Sequence, residues 1–200
     1  MYENESNISN IVQLDGNVSY LSSIDDQPYV PRHDKRKNKN LEVLSLPTVA
    51  TYNLRSFLPK AGNLTTDMLE RGIDCAFLTE IWEQTDKKEQ KDMIETMLET
   101  NGLKYISCPR PPNTKGISYG GAAIVVNLRK FSVEKIMITV PKNLEVVWGL
   151  LKAKAQCTKF KKIIVCSFYS PPSKKRNSKM ADHIVSTLHI CCTQDILIAG

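Results

Sequence analysis

Residues 73–83 read IDCAFLTEIWE, an apolar run that ends in the polar pair Thr79 and Glu80. Its composition predicts a buried strand over residues 73–79. Layered α/β proteins build their sites at the ends of sheets, so polar residues that follow a buried strand are candidates for a site. Glu80 is the first such candidate, and the rest of the sequence is read outward from it.

Strand and helix patterns alternate on both sides of this run. Strands are predicted over residues 48–53, 73–79, 104–107, 121–127, 132–139, 145–155, 162–169 and 195–199, and helices over residues 60–71, 86–100 and 178–192. Asp86 and Glu89 resemble a capping box at the start of the second helix. The order of these elements predicts an α/β sandwich of sheets with outer helices.

The first 46 residues differ in composition from the rest of the chain. Residues 1–30 carry five acids and no Lys or Arg, and residues 31–40 carry five Lys or Arg against one Asp. Both stretches are too polar to bury much surface, so we predict a disordered leader with a basic arm over residues 1–46 and an ordered domain over residues 47–200. The arm is a solvated linker, a contact for a phosphate backbone or a nuclear-import signal.

Composition also bears on location. The chain is 42% hydrophobic and has no apolar stretch of the length that a transmembrane helix needs, and its polar N-terminus lacks the pattern of a secretory signal. Its six cysteines show neither a CxxC pair nor metal-ligand spacing. We therefore expect an intracellular protein, nuclear or cytoplasmic, that is neither secreted nor associated with a membrane.

Polar residues end three of the predicted strands. Asn53 ends the first, Glu80 follows the second, and Tyr169 ends the strand over residues 162–169. An Asn and a Glu from adjacent strand ends make an oxygen-rich pocket of the kind that Mg²⁺ prefers. A Tyr hydroxyl beside them can hydrogen-bond a phosphate oxygen.

Five segments, in this order, resemble the endonuclease/exonuclease/phosphatase superfamily. They are TYNLRSFLPK (51–60), CAFLTEIWE (75–83), YGGAAIVVN (119–127), CSFYSPPSKKRN (166–177) and DILIAG (195–200). The N-x-R-S, T-E-x-W and Y-x-P-P elements are most similar to the endonuclease domain of LINE-type non-LTR retrotransposons. The resemblance implies a four-layer α/β sandwich, incomplete at its C-terminus, and cleavage of a DNA phosphodiester by an activated water with Mg²⁺, or alternatively Mn²⁺. It also implies a reverse-transcriptase domain in the same chain if the parent element is intact.

The resemblance assigns roles to three residues. Asn53 matches the Asn of the family's first motif, which orients the site and contributes to metal binding. Glu80 matches the metal-binding Glu of the second motif. Tyr169 matches the active-site Tyr that lies near the scissile phosphate.

Basic residues near these positions are candidates for DNA contact. Arg55 stands where some relatives carry an acid, and a cation there favours contact with a DNA phosphate over metal binding. A second basic cluster follows Tyr169 and comprises Lys174, Lys175 and Arg176.

Two motifs of the family lie beyond these segments. The G-D-x-N motif would begin at Gly200, and the S-D-H motif would follow it, so neither the Asp–Asn pair nor the Asp–His pair is in this sequence. His183 and His189 lie off the apolar face of the last predicted helix and are expected to face solvent, and His33 lies in the basic arm. We therefore expect a domain cut short at its active site and inactive as these 200 residues.

Other functions remain open. The chain is alternatively a non-catalytic retroelement remnant or a basic nucleic-acid-binding fragment. Within the superfamily, a fragment of an abasic-site nuclease or of a phosphoinositide phosphatase is a further alternative.

The resemblance makes a prediction about the parent gene. The codons that follow Gly200 are expected to encode Asp, one variable residue and then Asn, and a Ser-Asp-His motif is expected farther on. Sequencing of independent transcripts across codon 200 tests this. A stop codon at position 201 in all of them would contradict it and favour the remnant.

Overall fold

The computed structural model describes residues 11–12, 47–85, 87–114, 116, 118–154, 162–171, 174–191 and 195–200, with the backbone alone at 11–12 and 174–176. These residues form two β-sheets and three α-helices.

The first sheet is mixed and has the strand order β1-β2-β3-β5-β4. Its strands are β1 (Ile11–Val12), β2 (Val49–Asn53), β3 (Cys75–Thr79), β4 (Leu103–Cys108) and β5 (Ala122–Asn127). Only β2 and β3 run parallel, and the other pairings in this sheet are antiparallel. The carboxyl ends of β2 and β3 therefore lie side by side, with Asn53 in register with Thr79.

The second sheet has the order β6-β7-β8-β9. Its strands are β6 (Phe131–Lys135), β7 (Glu145–Ala153), β8 (Lys162–Tyr169) and β9 (Asp195–Ala199). The strands β6, β7 and β8 are antiparallel neighbours, whereas β8 and β9 are parallel. In the β7–β8 register the first residue of β7, Glu145, lies opposite the last residue of β8, Tyr169.

Three apolar clusters divide these elements into four layers. Between the sheets, Phe77 and Ile124 of the first sheet pack with Val147 and Val165 of the second. The outer face of the first sheet packs on α1 (Ala61–Glu70) and α2 (Lys88–Thr100). The outer face of the second packs on α3 (Lys174–Ile190), whose Met180 is buried in that cluster. The four-layer α/β sandwich expected from the sequence is confirmed.

Burial on both faces explains why the central strands read as continuous apolar runs. All six residues of β5 are buried, as are five consecutive residues of β8 from Ile163 to Ser167. An inner and an outer apolar layer both need filling in such a sandwich, so alternation is lost at its centre. The bounds of β8 and β9 are those that the sequence predicts.

The ends of other elements differ from the expectation. Helix α2 begins at Lys88 after an N-cap at Lys87, whose side chain makes no cap hydrogen bond. Asp86 lies outside the described residues, so the capping box stays a prediction. Helix α3 begins at Lys174 and not at residue 178, since its polar first turn carries no apolar periodicity. Strand β6 ends at Lys135, and Ile136 and Ile138 continue as irregular chain against the outer cluster of the second sheet.

Most of the predicted leader and basic arm, residues 1–10 and 13–46, lies outside the described residues. Ile11 and Val12 pair antiparallel with Ala50 and Val49 and form the edge strand of the first sheet. The division of the chain at residue 46 stays a prediction. No helix in the described ranges is long and apolar enough to cross a membrane.

His183 was expected to face solvent, and this was wrong. Its side chain lies on the buried face of α3, where Nε2 accepts a hydrogen bond of 3.2 Å from Nε1 of Trp148. Apolar periodicity does not identify a histidine that fills a core position as a hydrogen-bond acceptor. His189 is exposed in the last turn of α3, as expected.

The buried His183 predicts a loss of stability in acid. Burial lowers its pKa below the ordinary value near 6.5, because the neutral imidazole accepts the Trp148 hydrogen bond and the charged form is desolvated. The stabilisation is therefore present above about pH 6.5 and is lost as the pH falls from that value through the folded-state pKa. Chemical unfolding gives the free energy of unfolding of wild type and of His183→Gln at several pH values. Gln keeps a hydrogen-bond acceptor but does not titrate, so the wild type should lose more stability than the variant as the pH falls. An equal decline in the two proteins between pH 7 and pH 5 would contradict it.

Candidate active site

The backbone continues the β2–β3 pairing beyond the ends of both strands. The N–H of Leu54 donates to the carbonyl of Thr79 at 3.0 Å, and the N–H of Ser56 donates to the carbonyl of Glu80 at 2.9 Å. The chain segment after Asn53 and the segment after Thr79 are therefore held together as one unit.

Four residues in these two segments have positive φ angles without being glycine. The angles are 46° at Arg55, 101° at Ser56, 54° at Glu80 and 50° at Trp82. Such conformations cost on the order of 1–3 kcal/mol each and persist where the surrounding contacts fix them. Their concentration at the carboxyl ends of β2 and β3 marks this end of the sheet as the candidate site.

Three side chains named from the sequence meet here. Oε1 of Glu80 accepts a hydrogen bond of 3.3 Å from Nδ2 of Asn53 and one of 3.1 Å from the hydroxyl of Tyr169. Asn53 and Glu80 come from the first sheet, and Tyr169 comes from the second. The contact depends on the packing of the two sheets, which Ser167 reinforces by donating to the carbonyl of Leu78 at 3.2 Å.

The site opens into a cavity of about 340 Å³ between the two sheets. Thr51 and Thr79 line it from the first sheet, and Phe168 lines it from the second. Its lining combines polar side chains with the aromatic rings of Phe77 and Phe168, a mixture that is usual in ligand pockets.

The phenol of Tyr169 stays protonated at neutral pH. Burial, the negative charge of Glu80 and the hydrogen bond to it raise the pKa of Tyr169 above its usual value, and the positive charge of Arg110 partly opposes them. The hydroxyl therefore acts as a donor, to Glu80 or to an anion that takes its place.

Sequence reasoning missed an ion pair beside Tyr169. Nε of Arg110, in the loop after β4, donates to Oε1 of Glu145 at 2.5 Å, and Nη2 of Arg110 contacts the same oxygen. The N–H of Gly121 donates to Oε2 of Glu145. The side chain of Glu145 is only 4% exposed, and the guanidinium carbon of Arg110 lies 5.6 Å from the centre of the Tyr169 ring.

The paired glycines of the YGGAAIVVN segment make room for this ion pair. A Cβ on Gly120, where φ is +109°, would lie 2.5 Å from Oε2 of Glu145 and 2.8 Å from Cζ of Arg110. Gly121 has a φ of +87° and offers its N–H to the same carboxylate. Two adjacent glycines before a buried strand were thus a signal of a close approach that sequence reasoning did not use.

The residues predicted to contact DNA lie in a turn and in a helix. The side chain of Arg55 is exposed in the turn after Asn53. Lys174, Lys175 and Arg176 form the first turn of α3, and their side chains lie outside the description. Trp82 packs edge to face on Tyr119, with ring centres 5.0 Å apart.

The carboxylate and amide oxygens at Glu80 and Asn53 are ligands of the kind that a hard divalent cation binds. In the described ranges of the chain, no three His, Cys, Asp or Glu side chains come together as a ligand set. Mg²⁺ is nonetheless commonly held by one or two carboxylates plus waters and phosphate oxygens. Glu80 Oε2 has no hydrogen-bond partner within the part of the chain that the structure describes, and the carboxamide of Asn53 lies beside it.

Solved structures with a similar fold include three nucleic-acid or phosphoryl-processing proteins. The endonuclease domain of TRAS1, a telomere-specific non-LTR retrotransposon, is 18% identical, with a TM-score of 0.50 over 76% of this chain and 58% of its own. The 3′ phosphatase NExo from Neisseria, bound to a product DNA hairpin, is 14% identical, with a TM-score of 0.50 over 75% of this chain and 55% of its own. An endonuclease/exonuclease/phosphatase from Bacteroides vulgatus is 13% identical, with a TM-score of 0.56 over 76% and 64%.

The chain thus spans between about half and two thirds of the length of each of these structures. No protein-family profile and no curated protein sequence matches it. At these identities the likeness shows a shared fold.

Gly120 is predicted to be intolerant of a side chain. Gly120→Ala adds a Cβ against Glu145 and Arg110 and forces a positive φ on alanine, so we expect destabilisation of about 2 kcal/mol or more. Gly62→Ala in α1 is the matched control, since nothing lies within 4 Å of its added Cβ. Thermal unfolding compares the two, and equal midpoints would refute the crowding at Gly120.

Proposed function

We propose, from the endonuclease/exonuclease/phosphatase fold that this chain has, that residues 47–200 are the N-terminal portion of a Mg²⁺-dependent DNA endonuclease of the retrotransposon type. The observation that carries the proposal is the meeting of Asn53 and Tyr169 on one carboxylate oxygen of Glu80. These three residues come from two sheets and from distant parts of the sequence, and all three match motif positions of that family.

DNA is the proposed substrate. The chain has a formal net charge of +6, and residues 1–30 hold five acids and no Lys or Arg, so residues 31–200 carry a net charge of +11, which favours a polyanionic partner. Among structures with this fold, one is a retrotransposon endonuclease domain and another is bound to a DNA hairpin. A reverse-transcriptase domain in the same chain is the partner that this assignment implies.

Glu80 and Asn53 are the proposed metal ligands, for Mg²⁺ or Mn²⁺. A bound divalent cation supplies charge stabilisation for the oxygens of a phosphodiester under attack. Glu80 is suited to this because it forms no ion pair with any described residue, so its charge is left for a cation. Asn53 holds the carboxylate in place and can present its amide oxygen on the same side.

Tyr169 is proposed to bind the phosphate. Its raised pKa keeps the hydroxyl protonated, so it can donate to a non-bridging phosphate oxygen. Its ring is fixed between the sheets by the β7–β8 register and by Arg110. The hydroxyl therefore has little freedom to lose when the phosphate binds.

A general base is not supplied by the described histidines. His183 is committed to Trp148 on the outer face of the second sheet, and His189 is exposed at the end of α3. We therefore propose that residues 1–200 bind metal and DNA and do not cleave it, because positioning of the attacking water needs a general base, and neither described histidine lies at the site. An intracellular, reducing location accompanies the proposal, supported by four described cysteines that are all free.

The proposal predicts one metal site at Glu80. Glu80→Gln removes the charge and keeps the size, so the dissociation constant for Mn²⁺ should rise on the order of tenfold or more. Titration followed by electron paramagnetic resonance measures free Mn²⁺ directly. Glu89→Gln, an exposed acid in the first turn of α2, is the matched control and should leave the affinity unchanged.

Two outcomes would contradict the proposal. Equal Mn²⁺ affinity in wild type and Glu80→Gln would remove the metal site. Tighter Mn²⁺-dependent binding of an abasic duplex or of a phosphoinositide than of intact DNA would instead favour the abasic-site nuclease or the phosphatase.

A further inference from the structure

In the function proposed so far, the ion pair of Arg110 and Glu145 contacts neither the metal nor the substrate. Glu145 is buried at the start of β7, and Arg110 is 28% exposed in the loop after β4. A buried ion pair is weak support for stability, because desolvation of the two charges offsets their attraction. Its position beside Tyr169 calls for another explanation.

Glu145 uses only one edge of the guanidinium. Nε and Nη2 of Arg110 both face Oε1 of Glu145, and Nη1 forms no hydrogen bond or ion pair with any described residue. The guanidinium also lies over the ring of Tyr169 at 5.6 Å, the same ring whose hydroxyl reaches Glu80. One face and one edge of the cation are therefore fixed by protein, whereas Nη1 has no partner among the described residues and the side chain is 28% exposed.

This arrangement requires arginine and not merely a positive charge. A guanidinium is planar and carries donors on two edges, so it can bind a carboxylate and a phosphate at the same time. A lysine ammonium in the same place would be a single point charge and could not keep both contacts with fixed geometry. Gly120 leaves space for this side chain, since a Cβ there would clash with Cζ of Arg110.

We propose that Arg110 is a substrate-binding residue that contacts a DNA phosphate through the guanidinium edge left free by Glu145. Glu145 is the positioning residue that holds Arg110 against Tyr169. The inference rests on the proposed function and deepens it, because it adds a phosphate contact beside the Glu80 metal site.

The test is the salt dependence of DNA binding by the full chain. Fluorescence anisotropy of a short labelled duplex gives the observed association constant at several salt concentrations without added metal. The plot of log K against log salt has a negative slope. Loss of one phosphate contact should make this slope shallower by about 0.9 and weaken binding about tenfold at low salt. We expect this in Arg110→Met and a partial loss in Arg110→Lys.

Two further variants keep the result interpretable. Arg110→Met leaves Glu145 buried without its cation, so the double variant Arg110→Met/Glu145→Gln removes both charges and retains an acceptor for the Gly121 N–H. Arg71→Met is the matched control. Arg71 pairs with Asp67 and lies between the end of α1 and the start of β3, at the opposite end of β3 from Glu80, so this variant should leave the slope unchanged.

Outcomes separate this inference from the proposed function. A double variant with the slope and affinity of wild type would overturn the inference, and so would a loss no larger than that of Arg71→Met. Mn²⁺ binding is measured on the same proteins and should be unchanged by the control variant Arg71→Met. If Glu80→Gln leaves Mn²⁺ binding intact while Arg110→Met makes the slope shallower, the proposed metal site fails and the phosphate contact stands.

Discussion

The hydrogen bond from Tyr169 to Glu80 joins the two sheets at the end where the site lies, and the rest of the site depends on it. The two residues are far apart in sequence and belong to different layers. Their contact therefore requires the correct packing of both sheets and the correct register of β8 against β7. Ser167, two residues earlier on β8, reaches across the same interface to the carbonyl of Leu78 and fixes that packing from the interior.

Two acids at this end of the sandwich differ in their described partners, because one is paired with a cation and the other accepts from neutral groups. Glu145 is buried and satisfied by Arg110 and by the N–H of Gly121. Glu80 is half-buried, and its partners among the described residues are the neutral donors Asn53 and Tyr169. The proposed binding of a metal ion and a phosphate needs such a carboxylate, with no cation among its described partners, beside an amide and a phenol.

Local sequence patterns predicted those strands and site residues whose burial is decided by their neighbours along the chain. The strands β3 and β8 are apolar runs with polar residues at their carboxyl ends, so the candidates Glu80 and Tyr169 could be read from the sequence. Arg110 and Glu145 could not, because an Arg in a Pro-rich loop and a Glu at a strand start are ordinary solvated residues until the register of β7 with β8 is known. His183 was misjudged for a similar reason, since its partner Trp148 lies on a strand that no helical periodicity can reveal.

The central claim is that Glu80 and Asn53 hold a divalent cation beside Tyr169. The most direct measurement is an X-ray structure of the chain grown with Mn²⁺, with the ion located by its anomalous scattering. We expect a peak about 2.1 Å from a carboxylate oxygen of Glu80, with the amide of Asn53 turned to present its oxygen. An anomalous peak elsewhere, or none at saturating Mn²⁺ with Glu80 still bonded to Tyr169, would contradict it.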